Sequence, residues 1–411
     1  MKLEHQIYLH NFASFICLKI FFLTLKMSCF YFKFLAYTIM LVFGWVRWVT
    51  AASEDFVCDV PDSWLGIGIG NKSFYPGTLW PNAIVKYELH SSLSTHDRIE
   101  VFKAFDDIQS KTCIRFQQRS PGEAAYTSIE HDETVCGLGH VCRTGGYQFA
   151  KFGGNCRTKS TMVHELGHNL CLGHEQTRRD RDDYLHFNEC HPDQVPGKDT
   201  FETRGHLYDY TSGMAYGCGW CPGGWPKMSG VATSQCRNSD GLSVLDADKL
   251  NDLYNCQGCY SHRWRPIDNL SDVDRRSMVQ FGSTNTGSPL YLCRGYVGGT
   301  VSSGKYWPQA RTCYIPYEGI EYQLTTRAQV FTVPGGIYGT SRAGHQLSQN
   351  VKIGRKPNAV ECYAAVADID QDGRGKETSI GIVCADSMNR GYFPYWGKEV
   401  VTSQFSFIVC R

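Results

Sequence analysis

The sequence predicts an α+β protein in two folded parts, helices mixed with strands first and then a small, mostly β domain with an internal two-fold repeat. Three observations carry that prediction. Helical and strand periodicities both occur between residues 84 and 254. Beyond Cys259 short apolar runs alternate with glycines, without helical periodicity. Finally, Cys313-Tyr-Ile-Pro-Tyr-Glu-Gly-Ile-Glu321 recurs as Gly391-Tyr-Phe-Pro-Tyr-Trp-Gly-Lys-Glu399, a period of 78 residues. At 411 residues, 42% hydrophobic and 20% charged, the chain is long enough for two cored domains.

Residues 1–52 read as a leader. Its apolar stretches are broken by Lys19, Lys26, Lys33 and Arg47, yet from Met27 onward they fit a signal peptide. Lys33 is the positive flank, Phe34–Val46 the apolar core and Thr50-Ala51-Ala52 the cleavage site. The alternative is a signal anchor, but 13 apolar residues are short for a bilayer and no stable membrane span is expected. Residues 53–72 read as a short pro-segment, and 73–260 as the first domain. A strand is expected at Ile84–Leu89, where Val85, Tyr87 and Leu89 alternate with Lys86 and Glu88. A helix follows from Thr95 to Ser110, capped by Ser94 or Thr95, with Ile99, Phe102, Phe105 and Ile108 as its apolar stripe. Cys113–Gln117 is a second strand, and Cys142–Phe152 an irregular edge strand broken by Gly145-Gly146 and Gly153-Gly154. Ser160–Leu170 is a helix capped by Ser160 or Thr158, Cys190–Cys236 is loop-like, and Ser243–Tyr254 is the last helix. Residues 261–287 read as a linker and 288–411 as the β-rich repeat domain.

Nineteen cysteines point to an oxidising compartment and a secreted chain. The pairs Cys218/Cys221 and Cys256/Cys259 could build a zinc ribbon, but with a leader present disulfides are the expected use. Eleven cysteines lie at 113–259 and five at 293–410, so both odd totals require an inter-domain bridge or free thiols. A net charge of +1 gives no reason to expect nucleic acid. Asn71-Lys-Ser and Asn269-Leu-Ser are glycosylation sequons.

The chemistry sits in His164-Glu-Leu-Gly-His168. Histidines four apart on a helix share a face, so both imidazoles can reach one ion. A third, His174, completes a set that leaves zinc an open position for water. Zinc lowers that water's pKa from about 15.7 to about 7, roughly 12 kcal/mol at 1.36 per unit, and Glu165 can take its proton and pass it to a leaving amine.

The run His164-Glu-Leu-Gly-His-Asn-Leu-Cys-Leu-Gly-His174-Glu-Gln-Thr-Arg-Arg-Asp-Arg-Asp182 closely resembles the signature of astacin-type metzincin peptidases. So do Leu79-Trp-Pro, Lys111-Thr-Cys-Ile-Arg-Phe116, Tyr208-Asp-Tyr-Thr-Ser-Gly-Met-Ala-Tyr216 and Leu253-Tyr-Asn-Cys256, so the likeness spans roughly residues 78–256. It implies a two-lobed domain with a twisted mixed sheet and a long active-site helix. Its cofactor would be one zinc ion per chain, and its substrates extended protein or peptide segments laid on the edge strand near Cys142–Phe152. By the same resemblance Met214 underlies the metal, while Tyr216 is a fifth ligand that swings off to support the oxyanion. Glu175 would bind the new N-terminus after activation, and the expected disulfides are Cys113 with Cys256 and Cys136 with Cys156. Phe56-Val-Cys-Asp59 resembles the family's latency motif, which makes Asp59 the expected latency ligand, with a Cys58 thiolate or a plain disulfide arm as alternatives.

Two positions depart from the pattern. Ala215 replaces a usual histidine, and Cys171 replaces the glycine that lets the chain turn back after His168. A cysteine at positive φ there costs about 1–3 kcal/mol unless Gly173 takes the bend. Cys171 is read as a small buried residue in the turn rather than a partner of Cys58, because a bridge across the cleft would obstruct substrate. Residues 288–408 resemble the tandem repeat of mannose-binding and natterin-like proteins through Tyr291-Leu-Cys-Arg-Gly, Gly304-Lys305 and Cys313-Tyr-Ile-Pro-Tyr, which implies glycans as partners. Asp368-Ile-Asp-Gln-Asp-Gly373 is read as an acidic turn, since Ser379 stands where a calcium loop needs Glu. The expected function is a secreted zinc endopeptidase. The alternative is a weak or inactive homologue acting as a glycan-binding protein.

Overall fold

The computed structural model describes residues 78–199, 203–236, 240–342, 349–356 and 360–411. The leader, the pro-segment with Cys58 and Asp59, and the Asn71 sequon lie outside them. The first lobe runs β1 (Ile84–Leu89), α1 (Thr95–Lys111), β2 (Arg115–Gln118), β3 (Tyr126–His131), β4 (Gly137–Gly139), β5 (Tyr147–Phe152) and α2 (Lys159–Asn169). The strand order is β2-β1-β3-β5-β4, parallel except for β4. Ser94 and Asp97 form a capping box on α1. The stripe that α1 buries is Val101, Ala104, Phe105 and Ile108, whereas Ile99 and Phe102 face solvent. The expected stripe was therefore rotated by part of a turn. The expected edge strand is also corrected: β5 lies inside the sheet and β4 is its edge.

The second lobe is mostly loop, with a two-strand pair, β6 (Leu185–His186) and β7 (Trp225–Pro226), and then α3 (Val244–Leu253). Every residue from Leu245 to Leu253 is buried, charged ones included. The reason is that α3 is covered by the β domain. Asp252 takes Arg263 and Arg265, and Asp248 takes His262 and Arg294. Leu207 and Leu245 belong to the same apolar core as Trp264, Phe281, Leu290 and Ile353.

The β domain begins earlier than expected. Residues 261–287 are no linker: they form β8 (Arg263–Pro266), α4 (Asp272–Arg276) and β9 (Gln280–Ser283). Trp264 of β8 is fully buried, which ties the segment into the core. The strands β10 (Pro289–Val297), β11 (Thr300–Trp307), β12 (Thr312–Tyr317), β13 (Ile320–Leu324) and β14 (Ala328–Thr332) complete one half of the sheet. The other half comprises β15 (Tyr338–Arg342), β16 (Lys352–Arg355), β17 (Glu361–Ile369), β18 (Glu377–Cys384), β19 (Gly391–Tyr395), β20 (Lys398–Thr402) and β21 (Ser406–Cys410). The order β8-β14-β10-β11-β12-β13 meets its counterpart β20-β19-β18-β17-β21-β15 where Ile320 pairs Lys398. The recurring sequences are the hairpins β12–β13 and β19–β20 in the same register, Pro316 opposite Glu321 and Pro394 opposite Glu399.

All cysteines of the described residues are bridged. Cys113–Cys256 and Cys136–Cys156 close the first domain, with Cys190–Cys221 and Cys218–Cys236 in the second lobe. Neither Cys-x-x-Cys pair is a zinc ribbon, and the odd counts are resolved by Cys259–Cys410 between the domains. Cys293–Cys313 and Cys362–Cys384 lie within the β domain. Cys171 is neither unpaired nor bound to Cys58: it is bridged to Cys142. The turn Asp368–Gly373 is a hairpin end in which Asp368 pairs Lys376 at 2.7 Å. Among the described residues no helix is long and apolar enough to cross a membrane.

Candidate active site

The site grows from α2. Thr158 caps it by accepting from the Thr161 amide, and the four-residue spacing sets the His164 and His168 rings 4.8 Å apart on one face. The helix ends after Asn169, where the amides of Leu170, Cys171 and Leu172 turn back onto the carbonyls of Leu166, Gly167 and His168. Cys171 takes φ 75°, and Gly173 does not carry the bend. This reversal delivers His174 to the other two histidines.

His174 Nε2 lies 3.1 Å from His164 Nε2 and 3.2 Å from His168 Nε2. Nitrogens bound to a tetrahedral zinc at ~2.05 Å stand about 3.3 Å apart, so the triangle fits that ion. The outer ring nitrogens agree. His164 Nδ1 donates to the Gly213 carbonyl at 2.8 Å and His168 Nδ1 to the Leu172 carbonyl at 2.9 Å, which turns each Nε2 lone pair to the centre. Burial, helped by the neighbouring imidazole, pushes His168 and His174 down to about 3, so both are neutral donors. Among the described residues these three are the cluster spaced to hold a metal.

Glu165 sits one step round the helix, 5% exposed, and burial pushes its carboxyl up to about 8. A dication at the histidines would draw that value down. Strand β4 passes directly over it. A Cβ on Gly137 would overlap the Glu165 carboxylate and one on Gly139 its backbone carbonyl, so a side chain at Gly137 would displace the carboxylate and one at Gly139 would press on the helix backbone. Below, Gly167 leaves the space that the Met214 sulfur fills. The turn bearing Met214 is held from α3: Asp246 accepts from Ser212 Oγ at 2.7 Å and from the Gly213 amide at 2.8 Å. Asp246 thus reaches His164 through one residue, Gly213. The Tyr216 ring lies 4.8 Å from that of His174, and its amide donates to Gln176 Oε1 at 3.1 Å.

Glu175 is buried and satisfied within the chain, accepting from Arg178 Nη1 at 2.8 Å, the Asp209 amide at 2.8 Å and Lys249 Nζ at 2.6 Å. The residues expected to supply a new N-terminus lie outside the described ones. Sequence reasoning missed Asp246, Lys249 and Cys142. Ser243-x-x-Asp246 was visible as a capping box, but no local spacing says that the same carboxylate also holds the turn under the metal site.

Residues 72–255 match the family model described as Astacin, a peptidase family, and residues 256–324 and 285–402 match the DM9 repeat. The chain is 31% identical over 231 residues to zinc metalloproteinase nas-13 of Caenorhabditis elegans, which covers 54% of this chain and 50% of that protein. It is 30% identical over 194 residues to astacin-like metalloprotease toxin 2 of Loxosceles intermedia, covering 44% of this chain and 74% of the toxin. The chain spans about half the length of the first such relatives, 50% and 48%. A solved structure, high choriolytic enzyme 1, a hatching enzyme zinc-protease from Oryzias latipes, is 27% identical, covers 44% of this chain and 94% of its own, and has a TM-score of 0.38. The family match, the identity over most of a relative's length and the zinc-sized histidine triangle agree: the chain belongs to the astacin family, whose metal is zinc.

Proposed function

We propose that the protein is a secreted endopeptidase that hydrolyses peptide bonds in extended segments of protein substrates. The observation that supports this most is the position of Glu165, buried between the histidine triangle and the edge strand β4. An extended peptide can pair with the free side of that edge through main-chain hydrogen bonds, and so passes over the carboxyl. His164, His168 and His174 would hold the zinc ion, which would supply a Lewis acid and make water acidic enough to attack near neutral pH. Glu165 takes the proton of the attacking water and returns it to the leaving amine. The Tyr216 hydroxyl donates to the oxygen that gains charge. Asp59 is the proposed latency ligand, and the eight bridges favour an oxidising compartment. The test is metal content together with cleavage of a peptide library by the purified mature chain. One zinc per chain and chelator-sensitive cleavage support the reading, and zinc without cleavage favours an inactive scaffold.

A second activity, glycan binding, is favoured by a cleft of about 410 Å³ between the two copies of the β domain. In it Lys305 Nζ meets Glu377 at 2.5 Å and Glu321 at 3.1 Å, beside Trp307, Tyr314 and Trp396. Charged hydrogen-bonding groups beside aromatic faces suit the hydroxyls and C–H face of a sugar. Ile382 pairs Tyr392 as Lys305 pairs Tyr314, so the second copy lacks the lysine and one site per chain is expected. Loss of binding to immobilised mannose-type glycans in Lys305→Ala tests this reading.

A further inference from the structure

The segment following Tyr216 is a rigid platform. Cys218 is bridged to Cys236 and Cys221 to Cys190. The Gly219 amide donates to the Gly224 carbonyl at 2.8 Å, and the Gly224 amide to the Trp220 carbonyl at 2.9 Å. Gly217 and Gly223 touch backbone to backbone, since a Cβ on Gly223 would overlap the Gly217 carbonyl. At the tip of this pinned turn stands Trp220, 51% exposed.

Trp220 points back toward the metal site. Its ring stacks on Tyr216 with centroids 6.3 Å apart and 14° between the planes, and Tyr216 in turn touches His174. Gly217 lies beside the indole, where a Cβ would stand 3.7 Å from Nε1, in ordinary contact with the ring. An exposed indole leaves apolar surface in water that contact would bury. The backbone that carries it is held by two bridges and two main-chain hydrogen bonds, so little backbone freedom is lost when something packs on the ring. Exposed, preordered tryptophans of this kind are what binding surfaces use as anchors.

We propose that Trp220 is a specificity-determining residue, a preordered aromatic platform that selects substrates with a bulky apolar or aromatic side chain close to the scissile bond. The proposal rests on the endopeptidase reading above. An extended substrate advances about 3.3 Å per residue, so a platform two ring contacts from His174, 4.8 Å and then 6.3 Å, faces a residue within about three positions of the cut. The indole offers an uncharged face, flanked by Tyr216 and glycine, which rewards apolar area and aromatic geometry rather than charge.

The experiment is cleavage-site profiling by mass spectrometry. The activated wild-type chain, Trp220→Ala and Trp220→Phe each digest one library of peptides randomised around a central position. The wild type should enrich bulky apolar or aromatic residues at a single position within about three of the cut. Trp220→Ala should abolish that enrichment, raising KM so that kcat/KM falls roughly tenfold or more for the preferred peptides and less than about twofold for those with Ala there. Trp220→Phe should keep the preference. Cleavage by the wild type without such a preference, or an unchanged profile in Trp220→Ala, overturns the proposal and leaves the endopeptidase reading standing. No cleavage by zinc-loaded wild type overturns both.

Discussion

Cys171 is bridged to Cys142, and both residues hold left-handed backbone, φ 75° and 61°. The bridge closes a loop with a sequence separation of 29 residues, for which chain entropy gives about 3–4 kcal/mol of stabilisation. It locks the reversal that brings His174 to the metal site. Removing it should destabilise the protein by an amount that depends on what occupies position 171. Cys142→Ser with Cys171→Ala keeps the strained φ. Cys142→Ser with Cys171→Gly relieves it and should be more stable by about 1–2 kcal/mol. Denaturant unfolding of the two double variants measures the difference, and equal midpoints would refute the strain account.

Asp246 holds the turn under the metal site through Ser212 and Gly213, whose carbonyl accepts from His164 Nδ1. Asp246→Ala should therefore weaken zinc affinity about 10–100-fold, as loss of outer-sphere support does at other metal sites. Competition with a chromophoric chelator reads this directly. Unchanged affinity would mean that the turn is held by other contacts.

The interface between the domains should be acid-labile. Burial alone would raise the pKa of Asp248, but Arg294 and His262 outweigh it and hold the carboxyl below its ordinary value. Asp252 is likewise lowered, burial being offset by hydrogen bonds from His206 and Arg265. A carboxyl depressed in the fold contributes stability that is present above its unfolded pKa, about 3.9, and lost as pH falls through the folded value. The unfolding midpoint should thus drop steeply below about pH 4. Arg294→Met leaves Asp248 buried without that partner, which should cost about 3–5 kcal/mol at neutral pH and flatten the acid limb.

A chain truncated after Tyr260 should not accumulate as a folded peptidase, because Leu207 and Leu245 pack into the β-domain core and Cys259 loses Cys410. Secretion yield and circular dichroism of that fragment check the point. A folded, zinc-binding fragment would refute the claim that α3 depends on both domains.

What could be read from sequence was what local physics controls. The caps Ser94, Thr158 and Ser243 announce α1, α2 and α3 because their partners lie three residues away. The histidine spacing announces the metal for the same reason. Strand β3 was missed because Thr127, Ser128 and Ile129 are buried in succession between two neighbouring strands, which removes the alternation a half-exposed strand would show. The burial of the charges of α3 could not be read locally, because their partners Arg263, Arg265 and Arg294 lie on the other domain. The same covering hid β8 and β9 in a polar stretch that reads as a linker. The partner of Cys171 was invisible because positions 142 and 171 meet only after α2 has packed beside the sheet.

The proposed role of Glu165 is to move the proton at a zinc site built from His164, His168 and His174. Its most direct measurement is peptide hydrolysis by Glu165→Gln at zinc occupancy matched to the wild type. Gln keeps a hydrogen-bonding oxygen but cannot accept the proton, so kcat should fall by roughly 10²–10⁴-fold while zinc remains at one per chain. Unchanged turnover in the zinc-loaded variant would show that Glu165 does not carry the proton.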